Sequence, residues 1–386
     1  MTTDKKDRIP NAPVLRFPEF VGEWLSHPTT DFFEFKNGLN PEAKRFGTGT
    51  KFISVMDILN NRYITYEKVI SSVIPNEGDL EDFGVNYGDI LFQRSSETLE
   101  DVGRANVYLD NKTALFGGFV IRGKKTGDYD PLFFRYMLSS PYTRKRIIVK
   151  GAGAQHFNIG QDGLSKVELF VPSLDEQKRI GELFNLLDER IETQSRVIED
   201  LKQLRLALYQ RVFTNLQGDS VSLKSVADVI KGNQINGDEL SENGKYYVMN
   251  GGVLPSGYYD EFNTPANTIS ISEGGNSCGY VQFNEEPFWS GGHCYTLQVC
   301  KTINVRYLFH YLKYKEQDIM KLRIGSGLPN IQKKDLEHFM VVIPNTNKQQ
   351  KLTSLFDCIQ IKENIEKALL SQWQIQKRYL LQKMFI

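Results

Sequence analysis

Two loops rich in small residues carry side chains suited to hydrogen bonding with a nucleic acid. Residues 151–159 read GAGAQHFNI, and residues 325–331 read GSGLPNI. Glycine lets a backbone approach a ligand closely, and amide, imidazole and hydroxyl groups can pair with base edges or phosphates. The candidate DNA-binding residues of these loops are Gln155, His156, Asn158, Ser326 and Asn330. The alternative is a pair of tight turns in which the asparagines bond their own backbone.

Further candidates lie in two polar segments that follow predicted strands. Residues 93–96 read QRSS, and their counterpart, residues 272–277, reads SEGGNS. Arg94 could donate two hydrogen bonds to guanine, although it could also be an ordinary surface arginine. The other candidates here are Ser95, Ser96, Asn276 and Ser277. Basic residues beside the small-residue loops could position phosphates, or they could be solvated helix ends; these are Arg144, Lys145, Lys150, Lys321 and Arg323.

Signals of catalysis are weak. Residues 46–50, FGTGT, resemble the F-x-G-x-G cofactor loop of methyltransferases, but the glycines lie one position early and no Asn-Pro-Pro-Tyr motif follows. Glu176 and Lys178 fit the end of a nuclease E-x-K motif, yet an acid is expected in the first turn of a helix. The five histidines and four cysteines lack metal-ligand spacing. We therefore predict no catalytic residue, no cofactor and no metal.

Long helices must position these residues. From Ile180 to Val212, apolar residues recur in alternating steps of four and three, interrupted at Gln194 and Arg205. This heptad seam is typical of a long helix packed along another helix. Ser173 precedes Glu176 at capping-box spacing. The pattern predicts a helix over 173–213, roughly 60 Å long.

The same arrangement recurs at an offset of 172 residues, so the chain is an internal duplication. Gly153 corresponds to Gly325, and Pro172 corresponds to Pro344. The turns FGGF (116–119) and SGGH (290–293) also look equivalent. The second heptad seam is poorer because acidic residues and a lysine interrupt it, at Glu363, Glu366 and Lys377. We expect that seam to shift locally onto Ile361 and Ile365.

The length of the linker indicates how the halves are arranged. Residues 214–220 span at most roughly 25 Å, well short of the first helix. The second globular part should therefore lie at the far end of that helix, and the second helix should run back. The predicted fold class is α+β, with two pseudo-two-fold-related globular α/β domains separated by an antiparallel coiled coil of two long helices. The predicted boundaries are a first globular domain over 1–172, a first helix over 173–213, a second globular domain over 214–344 and a second helix over 345–386.

Short apolar runs between turn signals predict the elements of the globular domains. Strands are predicted at 51–58, 63–70, 88–95 and 117–123 in the first domain, and at 246–252, 267–275 and 291–299 in the second. Residues 131–150 predict a helix that Pro141 ends or restarts, and residues 306–323 predict another. Residues 13–24, PVLRFPEFVGEW, predict an irregular apolar arm that docks elsewhere.

Composition favours a globular protein and argues against a stand-alone DNA binder. Of the 386 residues, 40% are hydrophobic and 24% charged, and 47 basic residues balance 47 acidic ones. A protein that binds DNA alone is usually basic, whereas a subunit can rely on partners for phosphate contacts. Apolar runs stay far below the length of a membrane span, and the polar start lacks a signal-peptide core. We therefore expect a cytoplasmic protein that does not bind membranes.

The arm at 13–24 and the two G-x-G…N-I…VP/IP segments, each leading into a glutamine-containing long helix, resemble a known family. The chain is similar to the specificity subunits of type I restriction–modification enzymes over nearly its whole length. That resemblance implies two target recognition domains, each reading half of a bipartite, asymmetric site in double-stranded DNA. It further implies a helix pair that sets the spacing and binds two modification (methyltransferase) subunits. Restriction/translocase subunits would complete the complex, and this chain would itself be non-catalytic.

Two other classes of function stay open from the sequence. The chain could be a coiled-coil adaptor with two protein-binding domains and no DNA; DNA binding together with a methyltransferase partner would exclude it. It could also be a DNA methyltransferase in its own right. Binding of S-adenosylmethionine by the isolated chain would favour that reading, and the missing catalytic motif argues against it.

Overall fold

A computed structural model describes residues 11–153, 156–325, 327 and 329–386 of the chain. Its elements form two compact units. The first unit comprises Met1–Ser195 with Leu369–Ile386, and the second comprises Arg196–Ala368. Each unit therefore contains one globular domain and one segment from each of two long helices.

The first domain is built from short strands and helices. Its strands are β1 (Leu25–Pro28), β2 (Phe33–Asn37), β3 (Phe46–Ile53), β4 (Ser72–Val73), β5 (Ile90–Gln93), β6 (Ser95–Ser96), β7 (Ala105–Val107), β8 (Leu115–Phe116), β9 (Val120–Lys125), β10 (Phe157–Asn158) and β11 (Glu168–Val171). Its helices are α1 (Val55–Asn60), α2 (Asp79–Phe83), α3 (Pro131–Ser139), α4 (Pro141–Ile148) and α5 (Gln161–Ser165), followed by the long α6 (Leu174–Phe213). Turns of 3₁₀ helix occur at Thr29–Asp31, Ala43–Arg45 and Tyr66–Lys68.

The second domain repeats this plan. Its strands are β12 (Asp219–Ser222), β13 (Ala227–Lys231), β14 (Tyr246–Met249), β15 (Gly257–Tyr259), β16 (Thr268–Ser272), β17 (Val281–Asn284), β18 (Trp289–Ser290), β19 (Cys294–Val299) and β20 (Met340–Ile343). Its helices are α7 (Val305–Tyr314), α8 (Glu316–Met320) and α9 (Lys333–Glu337), followed by the long α10 (Thr346–Lys383). Turns of 3₁₀ helix occur at Leu223–Ser225 and Gly237–Glu239.

Sheet order shows the duplication. The main sheet of the first domain runs β2-β9-β5-β7, and that of the second runs β13-β19-β16-β17, both antiparallel. A smaller sheet accompanies each, β4-β3-β8 in the first domain and β15-β14-β18 in the second. The first and last strands of each domain also pair, β1 with β11 and β12 with β20. Each long helix therefore follows a strand that pairs with the first strand of its own domain. This arrangement agrees with the predicted α+β fold class.

Helix α6 begins where the sequence predicted it, and its start is held by side chains. Glu176 is buried and accepts hydrogen bonds from Nε and Nη2 of Arg16, each 2.7 Å long, which docks the apolar arm. This contact supports the structural reading of Glu176 over the nuclease motif. Gln177 Nε2 donates to the carbonyl of Pro172 (2.9 Å), and Gln349 Nε2 donates to that of Pro344 (2.9 Å). The proline and the glutamine therefore make the same hydrogen bond at the start of both long helices.

The two long helices run antiparallel within each unit. In the first unit the ring of Phe184 lies 5.6 Å from that of Phe385, and Asp188 pairs with Lys377 (2.5 Å). The second unit shows the same reversal. There Arg205 of α6 pairs with Glu363 of α10 (3.3 Å). Tyr209 lies one turn further along α6, and its ring is 4.6 Å from that of Phe356, which lies nearly two turns earlier in α10. Along the described residues, no helix is long and apolar enough to cross a membrane.

The predicted shift in the second seam is wrong. Ile361 and Ile365 are 58% and 50% exposed, whereas Glu363 and Glu366 are buried. Glu363 stays in the seam because Arg205 and Lys367 neutralise its carboxylate. A buried charge is tolerated when it is paired, so the heptad register continues through the acidic residues.

Two predicted strands in the first domain are also wrong in part. The strand expected over 51–58 ends at Ile53, because Ser54 and Asp57 form a capping box that starts α1. Residues 63–70 form no strand; Tyr66–Lys68 form a 3₁₀ turn instead, and the Asp110 carboxylate accepts from the backbone N–H of Tyr66 (3.0 Å). The remaining predicted strands contain β5, β14, β16 and β19, the strand predicted at 117–123 overlaps β9, and α4 begins at Pro141.

Candidate nucleic-acid interface

The polar segment after β5 is fixed on both sides in the first domain. Strand β5 is buried at every residue because it lies inside the main sheet. Arg94 follows it, and its backbone N–H donates to the carbonyl of Phe119 (2.9 Å). Its own carbonyl accepts from the N–H of Ile159 (2.9 Å). The backbone of Arg94 is thus clamped between a turn and the end of the first small-residue loop.

That small-residue loop lies directly against the polar segment. Ser95 and Ser96 in β6 pair with Phe157 and Asn158 in β10. The hydroxyl of Ser95 donates to Oδ1 of Asn158, whose Nδ2 donates to the carbonyl of His156 (3.3 Å). Asn158 therefore holds the turn, as the alternative reading proposed, while His156 is exposed. Gln155 lies outside the described residues.

The second domain builds the same junction with different side chains. Glu273 donates its N–H to the carbonyl of His293 (2.9 Å), and its carbonyl accepts from Ile331 (2.8 Å). Glu273 therefore occupies the position of Arg94. Gly274 forms a β-bridge with Asn330, which also exchanges two backbone hydrogen bonds with Ile324. Ser326 lies outside the described residues.

Asn276 and Ser277 sit in a tight turn at this junction. The N–H of Cys278 donates to the carbonyl of Gly275 (3.1 Å), and the N–H of Tyr280 donates to that of Ser277 (2.9 Å). Gly275 adopts a φ of 76°, a left-handed conformation that favours glycine. The turn leaves the side chain of Asn276 exposed, whereas Ser277 is half-buried.

Glu273 differs from Arg94 in more than the sign of its charge. Its Oε1 accepts from Lys231 Nζ (2.7 Å) and from the hydroxyl of Tyr295 (3.0 Å), and its Oε2 lies 3.8 Å from Nδ1 of His293. Burial and the Glu273 carboxylate raise the pKa of Tyr295, so this phenol stays a hydrogen-bond donor. The carboxylate is therefore held within its own domain.

The predicted basic residues fall into two groups. Lys145, Lys150 and Arg323 are exposed, and Lys321 is exposed but pairs with Asp318 (2.9 Å).

Arg144 differs from the expectation of a phosphate contact. Its guanidinium donates to the carbonyls of Glu100, Val102 and Gly103, at 2.7 to 2.8 Å. Burial, together with the nearby Arg104, lowers the pKa of Arg144 to about 10. This geometry favours a positioning role for Arg144 in the loop that follows β6.

The glycine turns carry two exposed residues that the sequence reading did not select. Phe119 is 70% exposed, and the side chain of His293, at the equivalent place, is 63% exposed. A Cβ on Gly38 would lie 2.0 Å from the carbonyl oxygen of Gly117, and one on Gly232 would lie 2.3 Å from that of Gly291. The same close backbone approach therefore shapes both turns. The equivalence of FGGF and SGGH in the sequence was the signal that could have identified them.

Residues 46–50 do not form a loop between a strand and a helix. They lie within β3, and a Cβ on Gly49 would meet the carbonyl oxygen of Val73 at 2.5 Å. Gly49 also has a φ of 100°. Strand packing therefore accounts for this glycine without a cofactor.

The chain thus contains two repeated α+β domains, each with a polar junction beside a glycine turn and each followed by a long helix. The profile of the type I restriction modification DNA specificity domain matches residues 22–203 and 218–372. The chain therefore belongs to the family of type I restriction–modification specificity subunits.

Relatives of known name and structure agree with this assignment. A Mycoplasma pneumoniae protein named as a type I specificity subunit is 34% identical over 140 residues, which are 36% of this chain and only 37% of that protein. The specificity subunit of the type I restriction enzyme MjaVIII from Methanocaldococcus jannaschii is 24% identical over 432 residues, covering 94% of this chain and 93% of that protein. The crystal structure of a type I S subunit from M. genitalium has a TM-score of 0.66 at 21% identity, covering 97% and 99% of the two chains, and so shares the fold.

Proposed function

We propose that this chain is the non-catalytic DNA-reading subunit of a type I restriction–modification complex. Each globular domain reads one half of a bipartite, asymmetric site in double-stranded DNA. Two modification subunits dock on the chain, and restriction/translocase subunits join the full complex. The observation that carries this proposal is the repeated junction, in which Arg94 and Glu273 occupy the same backbone position with opposite charges. Equal scaffolds with unequal side chains suit two different half-sites.

Phosphate binding is expected to come partly from this chain and partly from its partners. Among the described residues, no carboxylate lies within ion-pair distance of Lys145, Lys150 or Arg323, so these cations are available to a DNA backbone. The net charge of zero supports additional phosphate contacts from the modification subunits. The cations would fix orientation, and the junction residues would read bases.

The long helices also expose apolar side chains outside their seam, which supports docking of partner subunits. In the first unit these are Leu186, Leu369, Ile375 and Tyr379. In the second unit they are Val197, Leu204, Leu206, Leu355, Ile361 and Ile365. Exposed apolar clusters on a soluble protein commonly mark interfaces.

Domain exchange tests the proposal. Residues 1–150 are replaced by the equivalent segment of another family member, and methylated sites are mapped across the genome. We expect one half of the site to change while the other half stays the same, and exchange of 214–344 should change the complementary half. If both halves or neither change, the modular reading fails. Binding of S-adenosylmethionine by the isolated chain would contradict the non-catalytic role.

A further inference from the structure

Arg94 combines a fixed backbone with an available guanidinium. Its N–H and carbonyl are both bonded, to Phe119 and Ile159. Its Nη1 donates to the carbonyl of Gly118 (3.3 Å), and this bond orients the side chain. The other N–H groups of the guanidinium remain available to a ligand. Within the described part of the chain, no acidic side chain pairs with it. An oriented, uncompensated guanidinium is suited to a planar acceptor pair.

Phe119 is joined to Arg94 through the backbone. Because its carbonyl accepts from Arg94, the two side chains leave adjacent, hydrogen-bonded backbone positions. The ring is 70% exposed and borders an apolar cavity of about 380 Å³ lined also by Phe46, Phe52 and Met56. A largely exposed phenylalanine gains nothing from facing water, whereas aromatic side chains pack well on the methyl group of thymine.

We propose that Arg94 and Phe119 are the base-reading pair of the first domain. The guanidinium of Arg94 donates to O6 and N7 of a guanine in the major groove, and the ring of Phe119 packs on the methyl of an adjacent thymine. This inference rests on the proposed function and assigns two bases of the first half-site.

The second domain cannot use the same contacts. Glu273 replaces Arg94 and is already bonded to Lys231 and Tyr295, and His293 replaces Phe119. A carboxylate would repel the O6 and N7 acceptors of guanine. The guanine–thymine contact is therefore confined to the first half-site, which makes the complete site asymmetric.

The test maps methylated sites in cells that carry the full chain with its modification subunits. The variants are Arg94→Gln, Arg94→Lys and Phe119→Leu. Arg104→Gln is the matched control, because Arg104 lies in the same domain but pairs with Asp101 (2.6 Å). Ile70→Ala is the apolar control, because Ile70 is fully on the surface of that domain. Arg94→Lys keeps the positive charge, so it remains informative if Arg94→Gln fails to fold.

The wild-type chain should give a bipartite motif whose first half, the half altered by exchanging 1–150, contains guanine next to thymine. Arg94→Gln should reduce the preference for guanine at its position by about 5- to 150-fold, and Arg94→Lys should reduce it less. Phe119→Leu should reduce only the preference for thymine. The second half and both controls should be unchanged. An unchanged motif overturns the inference, and so does a uniform loss of methylation at all sites in Arg94→Lys and Phe119→Leu. A wild-type chain without any bipartite motif would instead overturn the proposed function.

Discussion

At the scale of single residues, the basic cluster near the first small-residue loop contains side chains with different tasks. Arg144 bonds three backbone carbonyls, whereas Lys150 is exposed. We predict that Arg144→Met lowers the free energy of unfolding by about 1–3 kcal/mol, because three charge-assisted hydrogen bonds are lost. Urea denaturation measures this, and amide hydrogen exchange should rise over residues 98–104.

Lys150→Met is the matched variant and should behave in the opposite way. Its stability should change by less than about 0.5 kcal/mol, as is usual for surface positions. If Lys150 contacts a phosphate, the slope of log affinity against log salt should fall in magnitude by roughly 0.9 for the complex with modification subunits. Arg144→Met should leave that slope unchanged. A reduced slope for Arg144→Met would restore its predicted phosphate contact.

At the scale of elements, the charged pair between α6 and α10 replaces two apolar seam positions. Glu363→Ala removes the acid that Arg205 faces in a buried setting, and breaking such a pair costs about 3–5 kcal/mol. The double variant Arg205→Leu with Glu363→Leu should recover the loss or exceed wild-type stability by about 1–4 kcal/mol, since a leucine pair completes the seam. Thermal and urea unfolding of the full chain measure both effects.

A double variant as unstable as Glu363→Ala would contradict this account and would show that the seam needs its charges. Lys367→Ala is a useful control, because Lys367 also pairs with Glu363 but its side chain is 48% exposed. Its loss should change stability by no more than about 1 kcal/mol.

The first long helix could be predicted from local sequence patterns. Features that depend on contacts between residues far apart in the sequence could not. The seam of α6 is readable because its period lies within one segment. Glu363 interrupts the pattern of α10, and only the distant Arg205 explains why it is buried. In the same way, Ser95 and Asn158 were identified separately, but the sequence does not show that β6 and β10 bring them together. The helix at Val55–Asn60 was missed although its capping box at Ser54 and Asp57 is local, because β-branched apolar residues outweighed it.

At the scale of the whole molecule, the sequence predicts that the two helices set the distance between the half-sites. Seven residues inserted after Leu201 and seven after Ala368 would lengthen both helices by two turns and preserve their heptad faces. At about 1.5 Å per residue, the extension is roughly 10 Å, or about three base pairs. Methylation mapping should therefore find both half-sites unchanged and the spacer longer by about three base pairs. Insertion in α6 alone is the control, because the pairs Asp188–Lys377 and Arg205–Glu363 can then no longer both form, and stability should fall. An unchanged spacer in the matched variant would mean that the helices do not measure the site, and that the modification subunits or the domains themselves fix its length.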